Sequence, residues 1–273
     1  MAISADALQV YEGLGTLTGA ATADEQRRLE HRLIGFVPVT ESFSVGQYMP
    51  RAHAEIDAAL GAGRRPIVVG GTGLYLRAAL TELDLRPPPD PELRARIQAR
   101  LDAEGPDALR DEVLRRAPAS EIARGDRSRI VRYLELLEMG EDPVPSVEGS
   151  DPSRMGTSQL WTADTRVPTV LVGLVMDRDV LDARIDERME AIAASAVAEV
   201  RVADAAGASP TARKALGFEE LLAGDVEGMK RKARRLARRQ LTWMRKLPGV
   251  NVLDTTSRQP NDLAEAVAKL LEQ

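Results

Sequence analysis

Four stretches of the sequence hold residue types that can do chemistry. The first is Gly70-Gly71-Thr72-Gly73-Leu74-Tyr75, directly after the apolar run Pro66-Ile67-Val68-Val69. Glycine lets a backbone approach a ligand closely, and a helix beginning at Leu74 would attract an anion to its start. No Lys follows the glycines, so this is not a Walker loop. A tight strand-to-helix turn without a ligand explains the run equally well. The second stretch is Ser4-Ala5-Asp6-Ala7-Leu8-Gln9-Val10-Tyr11. An Asp just past a strand sits where open parallel sheets bind ligands. Its carboxylate could act as a general base or a metal ligand, and the Gln9 amide could pair with N6 and N7 of an adenine. From spacing alone the plainer reading, a capping Asp and a surface Gln, is preferred.

The third stretch is Asp126-Arg127-Ser128-Arg129-Ile130-Val131-Arg132-Tyr133-Leu134-Glu135. Arg129 and Arg132 share a helix face, and Arg132 with Glu135 makes an i,i+3 pair. That is a phosphate-contacting helix or, more plainly, a solvated face with a salt bridge. The fourth runs from Lys230 to Trp243 and holds seven Lys and Arg without an acidic residue. Such density points to an anionic partner: nucleic acid, diphosphate or both. A membrane surface fits less well, because Leu236, Leu241 and Trp243 make only a thin apolar face.

The elements that must position these residues follow from pattern. Met1 to Ala5 reads as the end of a strand, and Asp6 to Thr22, with Gly13, Gly15 and Gly19, as loop. Ala23 to Glu30 reads as helix and Arg32 to Val39 as strand. Ser44 to Gly61 fits an amphipathic helix with Ala54, Ala58 and Leu60 inward. Pro66 to Val69 has the look of a strand buried on both faces. Beyond Pro87-Pro88-Pro89 come three Arg- and Glu-rich helices, Pro91 to Glu104, Pro106 to Arg116 and Arg127 to Met139, then a Pro-, Gly- and Ser-rich loop over Glu141 to Ser158. Thr169 to Val175 is a further strand. Helices follow over Arg178 to Ala206, Thr211 to Leu222 and Val226 to Lys246, then a strand at Asn251 to Asp254 and a helix over Leu263 to Leu271. The alternation predicts an α/β core over residues 1–85 and 166–273, with a helical insertion domain over 86–165.

Composition sets the outer bounds. The 273 residues are 44% hydrophobic and 29% charged, ordinary for a globular chain, with a net charge of −5 that says little about local basic clusters. The absence of Cys excludes disulfides, thiolate metal sites and cysteine nucleophiles. No stretch approaches the roughly 18 apolar residues of a membrane span, and no secretory leader pattern opens the sequence. A cytoplasmic protein without a membrane partner is expected.

Taken together and in order, the segments resemble the tRNA dimethylallyltransferase (tRNA isopentenyltransferase) family. Ile3 to Gly13 resembles its "ISADSxQVYxG". His31 to Ile34 with Ser42 to Val45 resembles "HHLID…SFSV", and Pro66 to Tyr75 resembles "PILVGGTGLY". Asp126 to Glu135, Thr211 to Phe218 and Arg234 to Trp243 resemble "DxRRxxRALE", "TxRxAxGY" and "RxYAKRQxTW". The resemblance spans about residues 3 to 246. It implies a P-loop-NTPase-like parallel sheet core flanked by helices, with the small helical insertion. It also implies transfer of a dimethylallyl group from its diphosphate to N6 of adenine 37, in tRNAs reading codons that begin with U. By the same resemblance Asp6 is the general base, and Thr72 lies near the departing oxygen. Gln9 holds the flipped-out adenine, and Asp6, Ala7, Leu8, Gln9 and Thr72 together meet the tRNA. Arg94, Ser128, Arg129, Ile130, Val131 and Arg132 meet the anticodon stem-loop, Arg213 and Arg234 meet the diphosphate, and Mg2+ bridges it. A monomer is expected.

The sequence also departs from the family. The family opens with a strand, a "GPTxxGKS/T" loop and a helix, roughly 30 residues in all. Here Met1 stands just before the "ISAD" segment, and no Gly-Lys-Ser or Gly-Lys-Thr occurs elsewhere. With the later motifs intact, the expectation is an active protein that extends further upstream. The alternative is a catalytically inactive, tRNA-binding relative, and a third reading is a prenyltransferase acting on free adenylates. Ala7 stands where the family has Ser, Gly125 where it has Asn, Phe218 where it has Tyr and Ala233 where it has Thr, and Leu14 to Ala21 replaces a "DIGTAKP"-like run.

Overall fold

The structure, a computed structural model, describes residues 1–83, 85, 90–143 and 164–272. The expected break at Pro87-Pro88-Pro89 and most of the expected loop over Glu141 to Ser158 lie outside the described residues. The chain divides into two compact units, Met1–Leu83 with Trp161–Gln273, and Asp84–Leu160.

In the first unit all strands are parallel. Strand β1 (Ala2–Ser4) lies between β2 (His31–Arg32) and β3 (Ile67–Val69), with Ala2 opposite His31 and Ile67. Strands β4 (Leu171–Val175) and β5 (Val250–Asp254) form a separate two-stranded sheet. The stretch expected as one strand over Arg32 to Val39 is cut short. Leu33 takes a left-handed φ of 60°, and only a single bridge, Tyr11 to Val37, continues the pairing. The reading of β3 as buried on both faces is corrected as well: Ile67 and Val69 are 54% and 57% exposed. An all-apolar run allows two covered faces but does not supply the elements that cover them.

The helices of this unit are α1 (Gly15–Thr18), α2 (Ala23–Arg28), α3 (Val45–Gly61) and α4 (Gly73–Leu80), then α8 (Arg178–Ser195), α9 (Val197–Ala205), α10 (Phe218–Ala223), α11 (Val226–Met244) and α12 (Pro260–Leu270). Helix α3 starts at a capping box in which Ser44 and Gln47 exchange side-chain and backbone bonds. It turns Tyr48, Ala52, Ile56 and Ala59 inward, not Ala54, Ala58 and Leu60. The large side chains fix the buried face, since each fully buried Ile or aromatic contributes about 2 kcal/mol while Ala offers little.

The helix expected over Arg178 to Ala206 is two helices, interrupted at Ala196, where the Ser195 hydroxyl donates to the Ala191 carbonyl at 2.8 Å. The helix expected over Thr211 to Leu222 is a short 3-10 turn (Ala212–Lys214) followed by α10. Gly217, at φ 97°, separates the two pieces.

The second unit packs α5 (Pro91–Glu104), α6 (Pro106–Arg116) and α7 (Arg127–Glu138) around their own core. Leu93, Ile97 and Leu101 meet Leu109 and Val113, with Ile130, Val131 and Leu134 from α7. Helix α5 is capped by Asp90, and α5 and α6 both carry Pro in the first turn, where a missing N–H costs nothing.

Candidate functional site

The site is built where β1 and β3 end. Both are short, and both run into residues that cannot continue a strand. After β1, Asp6 Oδ1 accepts from the amides of Leu8 (2.8 Å) and Gln9 (3.4 Å), which turns the chain sharply and holds the carboxylate. After β3 comes the glycine run. A Cβ on Gly70 would lie 2.3 Å from the Ala5 carbonyl oxygen. A Cβ on Gly71 would lie 2.0 Å from Gln240 Nε2, and one on Gly73 2.1 Å from the Trp243 ring. Gly70 and Gly73 are therefore required by packing, against the exit of β1 and the Trp243 ring of α11, while Gly71 leaves room for the movable Gln240 amide. Thr72 caps α4 and its Oγ1 accepts from the Ala7 amide at 3.4 Å, tying the two strand exits together.

A cavity of about 800 Å3 opens beside these turns. Asp6, Gln9, Gly19, Gly70, Gly71 and Gln240 line it, with Glu25, Arg28 and His31 toward α2 and β2. Gln9 faces it with an amide already bonded at both ends. Its oxygen accepts from Ser4 Oγ at 2.9 Å, and its nitrogen donates to the carbonyls of Gly19 (3.2 Å) and Thr18 (3.4 Å).

Behind Asp6, Tyr48 donates its hydroxyl to the Ser4 carbonyl at 2.9 Å and packs against Tyr75 with ring centroids 4.5 Å apart and planes tilted by 36°. Burial, with the Asp6 charge adding to it, pushes both phenols well above their ordinary range, so both stay neutral hydrogen-bond donors. Tyr11, also buried, donates to Thr211 Oγ1 at 2.6 Å and accepts from the Phe43 amide at 3.2 Å.

The structure thus brings Asp6, Gln9 and the glycine run to one cavity, with Thr72 beside it. It does not bring Arg213 or Arg234 there. Arg213 is paired with Asp204 and Glu219 and lies 4.9 Å over the Phe218 ring. Arg234 Nη1 bonds both oxygens of Asp186 on α8 at 2.7 Å. The reading of the fourth stretch as cations without acidic partners is corrected in the same way. Lys230 holds Glu190 and Glu227, Lys232 holds Glu220, and Arg231 lies 3.7 Å from Asp225. Among the described residues Arg235, Arg238, Arg239 and Arg245 have no acidic partner, and all are exposed along one side of α11 and its end.

In the second unit Arg94 forks onto Glu135, at 2.6 Å from Nε and 3.2 Å from Nη2, and Arg132 reaches the same carboxylate at 3.3 Å. The Glu135 side chain is fully buried. Arg129 and Ser128 are exposed on the first turn of α7, where Asp126 caps the helix. Ile130 and Val131, placed among the RNA contacts by resemblance, turn their side chains into the core.

Sequence reasoning missed three residues that matter here. Glu135 was seen as a partner of Arg132 but not of Arg94, 41 positions away. Gln240 and Trp243 were visible only as part of a motif. The signal that could have found them is the glycine run itself, since a loop kept free of Cβ atoms implies something packed on it.

The family model described as IPP transferase matches residues 9–247. The tRNA dimethylallyltransferase of Thermobifida fusca is 38% identical over 265 residues, 92% of this chain and 79% of that protein. That of Kineococcus radiotolerans is 38% identical over 284 residues, 98% of this chain and 86% of that protein. The solved tRNA isopentenylpyrophosphate transferase of Bacillus halodurans superposes with a TM-score of 0.67 at 28% identity, over 99% of this chain and 88% of that one. With the matched sequence running from the turn after β1 through the end of α11, and with the fold of a solved member, the chain belongs to the IPP transferase family.

Proposed function

We propose that this chain transfers a dimethylallyl group from dimethylallyl diphosphate to N6 of adenosine 37, in tRNAs that read codons beginning with U. The observation that carries the reading is the Asp6 carboxylate at the end of β1, held by two backbone amides on one oxygen and facing a cavity of nucleotide size. N6 attacks the allylic carbon, the carbon–oxygen bond to the diphosphate breaks, and Asp6 takes the proton that N6 sheds. Thr72 Oγ, which accepts from Ala7, keeps its own hydrogen to donate toward the departing oxygen. An adenine stacked in a loop must leave the stack to reach such a site.

On the insertion unit the cations open to RNA are the exposed Arg94 and Arg129 with the partly exposed Arg132; on the core unit the stripe Arg235, Arg238 and Arg239 offers phosphate contacts of its own. Arg213 and Arg234 act on the diphosphate only if they exchange carboxylates for phosphate. In the fold as it stands they serve as braces. Among the described residues no group of three or more His, Asp or Glu could cage a metal ion. Of the residues lining the cavity, Asp6 and Glu25 carry the carboxylates that would meet a hard cation such as Mg2+, whose chemistry when bound would be to offset the leaving group's charge. Among the described residues no helix is long and apolar enough to cross a membrane. We take the acting unit to be a monomer in the cytoplasm.

The test is direct. The chain is mixed with an anticodon stem-loop carrying adenosine 37, dimethylallyl diphosphate and magnesium, and the RNA is weighed by mass spectrometry. One added dimethylallyl group is expected. Asp6→Asn should slow the transfer by a factor on the order of 100 to 10,000 with stem-loop affinity unchanged. Binding without any transfer would favour the inactive relative, and transfer to free adenylate alone would favour the nucleotide enzyme.

A further inference from the structure

Two side-chain amides line the cavity, and only one of them is open at both its oxygen and its nitrogen. Gln9 spends its oxygen on Ser4 and its nitrogen on the Thr18 and Gly19 carbonyls. Gln240, half-buried on α11, lines the same cavity, and among the described residues its amide has no hydrogen-bond partner. Its Nε2 occupies the space that a Cβ on Gly71 would take. Three residues on, Trp243 fills the space above Gly73. Residues at i and i+3 share one helix face, so the ring seated on Gly73 fixes the register that sets the amide over Gly71. The helix brings the amide in, and the missing side chains of the loop let it pass.

Resting on the transferase reading, we propose that Gln240 is the amide that pairs with the substrate adenine, and that Gln9 shapes the loop beside it. A carboxamide matches the N6 and N7 edge of adenine, accepting from N6–H and donating to N7. The exocyclic amine carries two hydrogens. One goes to Asp6 in the reaction, and Gln240 Oε1 holds the other, which fixes the nitrogen for attack. An adenine presented this way is told from guanine, which carries an oxygen where N6 would be.

The experiment compares labelled anticodon stem-loops carrying adenosine or 7-deazaadenosine at position 37, titrated with the chain and followed by fluorescence anisotropy. Deaza substitution removes N7 and leaves N6. The unmodified chain should bind the deaza stem-loop about tenfold more weakly. Gln240→Ala and the volume-matched Gln240→Met should bind both stem-loops equally, each about tenfold below the unmodified chain with adenosine. Gln9→Ala should keep the deaza penalty. A penalty that survives in the folded Gln240 variants, is lost in Gln9→Ala, or is missing from the unmodified chain overturns the proposal. Failure of the unmodified chain to bind either stem-loop removes the transferase reading itself, and this one with it.

Discussion

Arg94, Glu135 and Arg132 make a three-member ion cluster whose members are not equivalent, and the difference can be measured. The Glu135 side chain has no exposure, while those of Arg94 and Arg132 are 51% and 25% exposed. Arg94→Ala removes two of the three bonds to the carboxylate and leaves a buried charge held only by Arg132. Stranding a buried charge costs 3–5 kcal/mol when no partner remains, so with Arg132 still bound we expect about 3 kcal/mol. Glu135→Gln keeps the volume and removes the buried charge, while water can take over the half-exposed Arg94 guanidinium and the exposed part of Arg132. We expect about 1 kcal/mol from that change. In the Glu135→Gln background, Arg94→Ala should then cost only about 1 kcal/mol, a coupling of roughly 2 kcal/mol across the cycle. The assay is native-state hydrogen exchange by mass spectrometry over α5 and α7, which reads the opening free energy of this unit alone. Equal costs for Arg94→Ala in both backgrounds would refute the reasoning, as would a larger loss from Glu135→Gln than from Arg94→Ala.

Other expectations follow from the same geometry. Gly70→Ala should destabilise most, because the obstructing atom is the Ala5 backbone carbonyl; Gly73→Ala should cost about 2 kcal/mol against the rigid Trp243 ring, and Gly71→Ala least, since the Gln240 amide can swing away. Thermal unfolding of the three variants checks that order. Burial raises the phenols of Tyr48, Tyr75 and Tyr133, so the unfolded chain ionises them first. Their contribution is present below the ordinary tyrosine value of about 10 and should fall as pH rises through it, with phenolate absorbance lagging in the native protein until it unfolds. Removing Arg235, Arg238 or Arg239 should each flatten the salt dependence of stem-loop binding by about one phosphate contact, whereas Arg234→Ala should lower stability through Asp186 and leave that slope nearly unchanged.

What could be read from sequence divides along physical lines. Helices α5 and α6 have the expected bounds because Pro in the first turn and apolar residues at helical spacing are local signals. The turns at Asp6 and at the glycine run are legible from local strand–turn chemistry, but spacing alone favours a capping Asp there, and only the resemblance makes them a candidate site. Which face of α3 is buried was misread, because alanines were chosen over Tyr48 and Ile56, which carry the apolar area. The exposure of β3 had no local signal, since it depends on what lies above the strand. Glu190, one of the two partners of Lys230, and Asp186, the partner of Arg234, stand 40 and 48 positions away, so a run that looks unpaired in sequence is half neutralised in the fold. That the Gln9 amide is already bonded at both ends was invisible for a related reason: two of its three partners are backbone carbonyls, which every sequence has.

The seating of Gln240 on Gly71 also sets how this chain can change over evolutionary time. A methyl group at position 71 and a long amide at 240 compete for the same space, so the two positions are expected to vary as a pair among relatives, with a shorter residue at 240 wherever 71 gains a side chain. Gly70 has no such freedom, because the atom it faces belongs to the backbone and no substitution elsewhere can shorten it. Of two adjacent glycines that look alike in the sequence, one is tied to a single distant residue and the other to the sheet itself.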